Sequence, residues 1–421
     1  MEKISARYSY WILILFFTFG LILNQSYQKR IFKDGGKGHD GVYYYELADN
    51  MTQGNELIGL KPYIYRLGTP FLVSLLPFDI FTNFLIVNHT ATLLGCLLLM
   101  YWLSLFFKKR TTALLITLGL MTHWGFYVRF IQYNPTTCDP IAFLITMLLL
   151  LLIKRFYDTK KSSYALLSCL FIFTGVFFRE YLLVYSFLFL FTNQPFDRTK
   201  AFYIDWSLLL KHKYWFLLAF SCGIFGILLT HIAVNPIPSD YGFIAALILW
   251  TDNKSIFSLA TGFLNVFGPF VLFPFLYWKQ TKEFFDNHHQ YIALLLIAIG
   301  IIWFTGGDTE RFILWFFPIL ILPIGLVIEK NLNFKNNLTV WIPILISMVF
   351  IYRLFWPIPY IKPEIAMVKF PVFHAFHEDA INLLSFHGMQ KVRYLILIEY
   401  GVLCAYVLIV MRLKITKDKV I

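Results

Sequence analysis

Apolar residues recur in long runs along the whole chain, and short polar segments separate these runs. Several runs are long enough for an α-helix to cross about 30 Å of hydrocarbon at 1.5 Å per residue. The pattern predicts an all-α, polytopic transmembrane helix bundle of about 12 spans, which forms one transmembrane domain over residues 1–421. The candidate spans are 10–27, 80–107, 111–128, 138–153, 163–178, 180–192, 214–234, 257–278, 290–305, 312–328, 338–355 and 394–411.

Composition agrees with a membrane protein. Hydrophobic residues make up 58% of the chain and charged residues only 14%, whereas soluble domains carry about 25% charged residues. The five cysteines are scattered and form no CxxC pair, so neither a disulfide framework nor a cysteine metal site is expected. The first apolar run lacks a small-residue cleavage site after it, and we interpret it as a retained helix.

The positive charges predict the orientation of the bundle. With the N-terminus inside, the inner segments hold 21 of the 36 Lys and Arg residues, so the inside carries +13 and the outside −1. Every short inner loop is then basic, as the positive-inside rule requires. The net charge of +12 is therefore explained by topology, and no nucleic-acid partner is expected. Frequent Lys, Phe and Asn favour a bacterial inner (plasma) membrane protein with both termini in the cytoplasm.

Two outer segments are long, at 28–79 and 356–393, and neither could hold a nucleotide-binding domain. Gly35-Gly36-Lys37-Gly38 lacks the spacing of a phosphate-binding loop. In the first segment, Asp40 stands between His39 and Gly41, and glycine allows a close approach of the backbone to a ligand. The stretch from Tyr43 to Met51 predicts an interfacial helix, one of one or two in the outer loops.

Ionisable residues on the predicted outer side interrupt apolar sequence sharply, which is costly in a membrane and marks a function or an ion pair. The candidates are His39, Asp40, Arg66, Asp139, Arg179, Glu180, Asp308, Glu310 and Arg311.

An ordered set of these motifs resembles the GT-C superfamily of membrane glycosyltransferases. The set begins with Asp40, the helix with Tyr43-Tyr44-Tyr45, and the segment Tyr63–Pro70 that contains Arg66. Asp139-Pro140, Arg179-Glu180 and Gly306–Arg311 resemble later features of the same group. The chain departs from oligosaccharyltransferase-type members, which carry a large soluble domain, and this leaves the acceptor open.

The resemblance implies a polyprenyl-phosphate-linked sugar donor and a glycan, lipid or protein acceptor on the non-cytoplasmic face. It implies that Asp40 is the catalytic base and that Arg66 and Arg311 bind the donor phosphate, since guanidinium pairs well with phosphate oxygens. The remaining candidates, His39, Tyr44, Asp139, Arg179, Glu180, Asp308 and Glu310, complete the substrate-binding set. No residue is assigned to a metal, although Asp139 and Glu180 could instead hold a divalent cation, Mg²⁺ or Mn²⁺.

Each candidate residue also has a structural interpretation. Asp40 could be a turn residue beside glycine, and Arg66 an anchor at the membrane surface. Arg179 and Glu180 could pair with each other, and the residues from Asp308 to Arg311 could cap the tenth span.

Two other function classes stay open. A lipid-linked saccharide flippase or transporter suits twelve spans but would place ionisable residues near the membrane midplane. A polysaccharide polymerase or ligase would use arginines in the late outer loop at 356–393.

Overall fold

The computed structural model describes residues 6–38, 40–191, 207, 210–237, 248–249, 251, 254–304, 309–331, 338–352, 354, 357–358, 397–398 and 400–410. His39 and Asp308 lie outside these residues, as does the late outer loop at 356–393 apart from 357 and 358. The structural account below concerns the described residues.

The first half of the chain begins with a long helix, passes through a loop region with short elements, and then forms a run of packed helices. The helices are α1 (Ala6–Tyr27), the helical turn α2 (Lys33–Gly36), α3 (Gly41–Gln53), α4 (Gly68–Ser74), α5 (Ile80–Ser104), α6 (Arg110–Thr122), α7 (Tyr127–Tyr133), α8 (Asp139–Thr159) and α9 (Ser162–Gly175). Two 3₁₀ segments, Tyr63–Tyr65 and Glu180–Phe189, belong to the same half.

The second half is also helical. Its helices are α10 (Lys213–Ile232), α11 (Ile256–Phe267), α12 (Phe273–Leu276), α13 (Trp278–Asn287), α14 (Gln290–Phe304), α15 (Thr309–Trp315), α16 (Phe317–Asn331), α17 (Leu338–Ile351) and α18 (Tyr400–Val410). Short 3₁₀ turns lie at Leu210–His212 and Gly268–Leu272. Two three-residue strands, β1 (Ile58–Leu60) and β2 (Asn235–Ile237), pair in parallel with Ile58 opposite Asn235.

The chain is a multi-pass helical membrane protein by the length and composition of its helices. Six helical stretches are long and apolar enough to cross a membrane: Arg7–Tyr27, Ile80–Ser104, Arg110–Tyr133, Asp139–Thr159, Leu210–Ile232 and Ile256–Leu276. Two bent pairs raise the number to eight if each pair is one span; α13 and α14 meet at 107°, and α15 and α16 at 76°. All twelve predicted stretches overlap described helix or 3₁₀ segment, but the count of twelve spans itself stays a prediction.

The start of α5 shows how local polar residues position these helices. The Asp79 carboxylate accepts a hydrogen bond from the Thr82 backbone N–H, which satisfies one of the free donors at the helix N-terminus. The buried Asn83 amide donates to the backbone carbonyls of Val73, Leu76 and Phe78. These bonds fix the end of α4 against the start of α5, because buried carbonyls require donors.

Close helix packing depends on small residues. Gly95 of α5 faces Phe143 of α8, and a Cβ at Gly95 would lie 2.6 Å from the Phe143 ring. A Cβ at Gly226 of α10 would likewise lie 2.6 Å from Val176, which follows α9. Such contacts are typical of helices in lipid, where close approach replaces the hydrophobic driving force available in water. The result is a rigid group of helices beneath the candidate site.

The predicted helix from Tyr43 to Met51 is present as α3. Tyr44, Leu47 and Ala48 are its buried face. The neighbouring α4 buries Gly68, Thr69, Pro70 and Val73 and exposes Phe71 and Leu72. An exposed apolar face on a short helix suits a helix that lies in the membrane interface.

Candidate functional site

The candidate residues from the first outer loop, α8, the 179–180 segment and α15 meet at one end of the bundle. A cavity there has a volume of about 60 Å³. Its lining includes Asp40, Tyr44, Tyr127, Asp139, Glu310 and Arg311. Most of the residues predicted from sequence are thus brought together, although they are far apart in the chain.

Asp40 precedes α3 at the helix-capping position, yet its carboxylate makes no capping hydrogen bond. One carboxylate oxygen, Oδ2, lies 3.6 Å from Arg311 Nη1, and the side chain is 32% exposed. Its neighbour Gly41 packs on Thr136: a Cβ at Gly41 would overlap the Thr136 hydroxyl and lie 2.8 Å from the Thr136 carbonyl oxygen. The aspartate therefore faces the cavity and does not serve as an ordinary helix cap.

Asp139 forms the buried centre of the site. It is the first residue of α8 and is followed by Pro140. Proline suits the first turn of a helix because the backbone N–H that it lacks would have no helical partner there. Asp139 Oδ2 accepts a hydrogen bond from Arg311 Nε at 2.5 Å. Asp139 Oδ1 lies 2.6 Å from Arg179 Nε, in an ion pair whose angles are not those of a hydrogen bond. One buried carboxylate is therefore shared by two guanidinium groups.

Arg179 is 2% exposed and lies between two aromatic rings. Its guanidinium carbon is 5.4 Å from the Trp315 ring centre and 6.0 Å from that of Tyr44. Its Nη2 makes no hydrogen bond to any described residue. This buried cation depends on Asp139 and on ring contacts for its stabilisation.

A second ion pair lies beside the first. Arg66 Nε is 3.0 Å from Glu180 Oε1 and 3.2 Å from Oε2, and Arg66 Nη1 donates to the Tyr44 hydroxyl at 2.7 Å. Burial alone would lower the pKa of Arg66, but Glu180 and the Tyr44 oxygen raise that pKa well above its usual value. Arg66 reaches the cavity only through Tyr44, which lines it.

The Tyr44 and Tyr63 hydroxyls remain protonated near neutral pH. Burial raises the pKa of Tyr44 to about 12, against the opposing effect of Arg179 and Arg66. Burial, and then the negative charge of Asp40, raise the pKa of Tyr63. Both phenols therefore serve as neutral hydrogen-bonding groups.

Glu310 lies on the opposite wall of the cavity, in the first turn of α15. Its Oε1 accepts a hydrogen bond from Asn265 Nδ2 at 2.8 Å, and Asn265 Oδ1 accepts one from the Tyr400 hydroxyl at 2.9 Å. The Glu310 carboxylate is thus held by Asn265 of α11, while the side chain of the next residue, Arg311, contacts Asp139 and Asp40.

Several lining residues were not candidates from sequence. Asn134, Thr136 and Thr137 belong to a polar stretch just before Asp139, and this position between two apolar runs was a usable signal. Asn265, which does not line the cavity but binds Glu310, was visible as a lone amide in an apolar run. Tyr127 has a buried hydroxyl without a hydrogen bond to any described residue, but nothing in the sequence distinguishes it from other tyrosines.

Metal binding was tested by the grouping of possible ligands. In the described part of the chain, no group of three or more His, Cys, Asp or Glu side chains could hold a metal ion. The acids of the site contact arginines and an asparagine instead, as the distances above show.

A comparison with protein-family models finds no match, and a comparison with the curated proteins finds none either.

Proposed function

We propose that this protein is a glycosyltransferase that moves a sugar from a polyprenyl-phosphate donor to a glycan, lipid or protein acceptor on the non-cytoplasmic face of the membrane. The observation that carries the proposal is the contact between Asp40 and Arg311 at the cavity: a partly exposed carboxylate lies 3.6 Å from a partly exposed guanidinium. A base and a phosphate-binding cation side by side are what this transfer needs.

The reaction uses one group for the acceptor hydroxyl and the other for the leaving phosphate. The acceptor hydroxyl oxygen bonds to the anomeric carbon and gives its proton to the Asp40 carboxylate. The bond between that carbon and the phosphate oxygen breaks, and polyprenyl phosphate leaves with the electron pair. Arg311 supports the proposal as the phosphate ligand because its guanidinium lines the cavity and its side chain is 25% exposed.

The other residues position these two. Asp139 holds the Nε edge of Arg311, and Arg179 neutralises the second oxygen of Asp139. The Arg66–Glu180 pair holds Tyr44 at the cavity wall. The sequence-based role of Arg66 as a second phosphate ligand stays a prediction, and so does a role of His39 or Asp308 in substrate binding.

The test is transfer of label from a radiolabelled polyprenyl-phosphate sugar by the purified protein in liposomes that contain a crude envelope acceptor extract. Asp40→Asn is compared with Asp49→Asn, the same change further along in α3, where the carboxylate accepts a hydrogen bond from the Gln53 side chain. We expect Asp40→Asn to reduce transfer about 10²–10⁴-fold, the usual contribution of a general base, and Asp49→Asn to retain it. Full transfer by a folded Asp40→Asn protein would contradict the proposal.

A lipid-linked saccharide flippase is the second candidate. The observation that favours it is the pair of bends at α13–α14 and α15–α16, since broken helices are common in transporters, and the second bent pair carries Arg311. The ion pairs of the site nevertheless gather at one end of the bundle. In the same liposomes, label that changes leaflet without reaching an acceptor would establish the flippase instead.

A further inference from the structure

A short basic segment follows α1 at the same end of the bundle as the candidate site. Residues 29–37 contain Lys29, Arg30, Lys33 and Lys37 but only one acid, Asp34. In the orientation predicted from the charges, this segment is on the side where short loops otherwise avoid positive charge. The transferase proposal uses none of these four cations.

Two of the cations are held on a pair of contacting aromatic rings. The Arg30 guanidinium carbon lies 4.0 Å from the centre of the Phe81 ring, and Lys37 Nζ lies 4.4 Å from the centre of the Tyr45 ring. The Phe81 and Tyr45 ring centres are 4.9 Å apart. Among the described residues neither Arg30 nor Lys37 forms an ion pair within 4.0 Å. Cation–π contact holds each cation in place, and Asp79 acts on Arg30 only from a greater distance.

The backbone around these cations is fixed by hydrogen bonds to the rest of the fold. The Ile31 N–H donates to the Tyr133 carbonyl at 2.8 Å, and the Thr136 hydroxyl donates to the Lys37 carbonyl. Positive φ angles at Asp34, Gly35 and Gly36 turn the segment back on itself. A Cβ at Gly36 would lie 2.7 Å from Arg30 Cδ, so only glycine at this position leaves room for the Arg30 side chain as it lies. The cations are therefore positioned before any ligand arrives.

Arg30 lines a groove of about 510 Å³ together with Gln28, Gly35, Gly36 and Gln132. The same groove has an apolar wall of Phe32, which is 52% exposed, and Leu85, which lies one turn deeper along α5 than Phe81. A cation at the helix end above apolar side chains complements a lipid, whose anionic headgroup lies at the surface and whose acyl chains lie below it.

We propose that this groove binds the phosphate headgroup of an anionic phospholipid of the surrounding leaflet, with Arg30 as the cation of the groove and Lys37, on the adjoining Tyr45 ring, as a neighbouring positive charge. The occupant is a membrane phospholipid because the groove joins cationic and apolar walls at the end of a predicted span. This inference does not depend on the proposed transferase activity.

The test uses the full-length protein in nanodiscs of phosphatidylcholine that contain a trace of spin-labelled phosphatidylglycerol or, in a parallel sample, spin-labelled phosphatidylcholine. The immobilised fraction of each label gives the preference of the protein for the anionic lipid. We expect Arg30→Gln to lower this preference about fivefold and the double variant with Lys37→Gln to lower it further, since one basic side chain near an anionic surface contributes on this order.

Two control variants separate a specific site from a general charge effect. Lys108→Gln with Lys161→Gln removes two exposed positive charges near the opposite ends of α5 and α9 and is expected to keep the preference. Arg30→Lys with Lys37→Arg keeps both charges and should keep most of the preference.

Three outcomes would overturn the proposal. The wild type could show no preference for phosphatidylglycerol, or the Arg30→Gln, Lys37→Gln variant could keep the preference in full. Inorganic phosphate at millimolar concentration could also displace the labelled lipid completely, which would identify a site for a soluble anion.

Discussion

Arg311 Nε lies 2.5 Å from Asp139 Oδ2, although the two residues are 172 positions apart in the chain. The same guanidinium reaches Asp40 with its Nη1 atom. Arg311 therefore connects a buried carboxylate, which cannot leave its place, to a partly exposed one at the cavity. In the proposed reaction, the position of Asp40 therefore depends on Asp139 through Arg311.

Removal of the Asp139 charge is expected to destabilise the fold. In Asp139→Asn, the buried Arg179 keeps its charge but loses the carboxylate 2.6 Å away, and breaking a buried ion pair costs about 3–5 kcal/mol. Asp158→Asn removes a carboxylate from an exposed pair with Lys154 in the same helix, worth about 0.3–0.5 kcal/mol. Thermal unfolding of both variants in detergent should show a large loss of stability for Asp139→Asn and almost none for Asp158→Asn. Equal losses would show that the Asp139 cluster is not structural.

The Arg66–Glu180 pair is expected to show measurable coupling. Arg66 makes both of its Nε contacts to this carboxylate, but the Glu180 side chain is 40% exposed, so solvent screening keeps the coupling near 1 kcal/mol. A double-mutant cycle with Arg66→Gln and Glu180→Gln, followed by urea unfolding, measures this value. The same cycle for Lys330 and Glu283, which lie 3.6 Å apart and are more exposed, should give almost none. A larger coupling for Lys330–Glu283 would argue against the assigned geometry.

Tyr44 makes stability fall at alkaline pH. Its pKa is near 10 in the unfolded chain and about 12 in the folded protein, so the unfolded chain releases the proton first as pH rises. The contribution of protonated Tyr44 to the free energy of unfolding, on the order of 2–3 kcal/mol, is complete below pH 10 and is lost as pH rises towards 12. Tyr44→Phe should therefore flatten the decline in unfolding free energy between pH 10 and 12. Curves of identical slope for wild type and variant would rule this out.

Gly41 is expected to control the position of Asp40. Because a Cβ at Gly41 would overlap the Thr136 hydroxyl and approach its carbonyl, Gly41→Ala must shift the start of α3 and Asp40 with it. We expect transfer to fall at least about tenfold, since small misplacements of reacting groups are costly. Gly119→Ala, in α6, meets nothing within 4 Å and should retain activity with up to about 1 kcal/mol of added stability. The measurement is label transfer by the two variants side by side, and full activity of Gly41→Ala would refute the prediction.

Sequence patterns identified the helices of this protein because their signal is local. Long apolar runs need no distant partner to be recognised, and each predicted run overlaps a described helix or 3₁₀ segment. Helix α3 was predicted for the same reason. The residues of the site could also be collected from sequence, since ionisable groups beside apolar runs are rare and therefore conspicuous.

The pairing of those residues was decided by tertiary structure alone. Arg179 and Glu180, neighbours that could have paired with each other, have different partners: Arg179 pairs with Asp139 and Glu180 with Arg66. The reason is the extended backbone at Arg179, with φ −154° and ψ 130°, because successive side chains on extended backbone point to opposite sides.

The sequence by itself therefore determined a multi-pass helical membrane protein and the set of ionisable residues from which its site is built. A membrane-spanning helix is recognised by the length and the apolar composition of one continuous segment, and a sequence shows both directly. Only the packing of α8, α15 and the first loop decided that Asp139 would be buried between two arginines and Asp40 left at the cavity. The two contacts of Arg311, with Asp139 and Asp40, join positions more than 100 residues apart, and no local pattern encodes them.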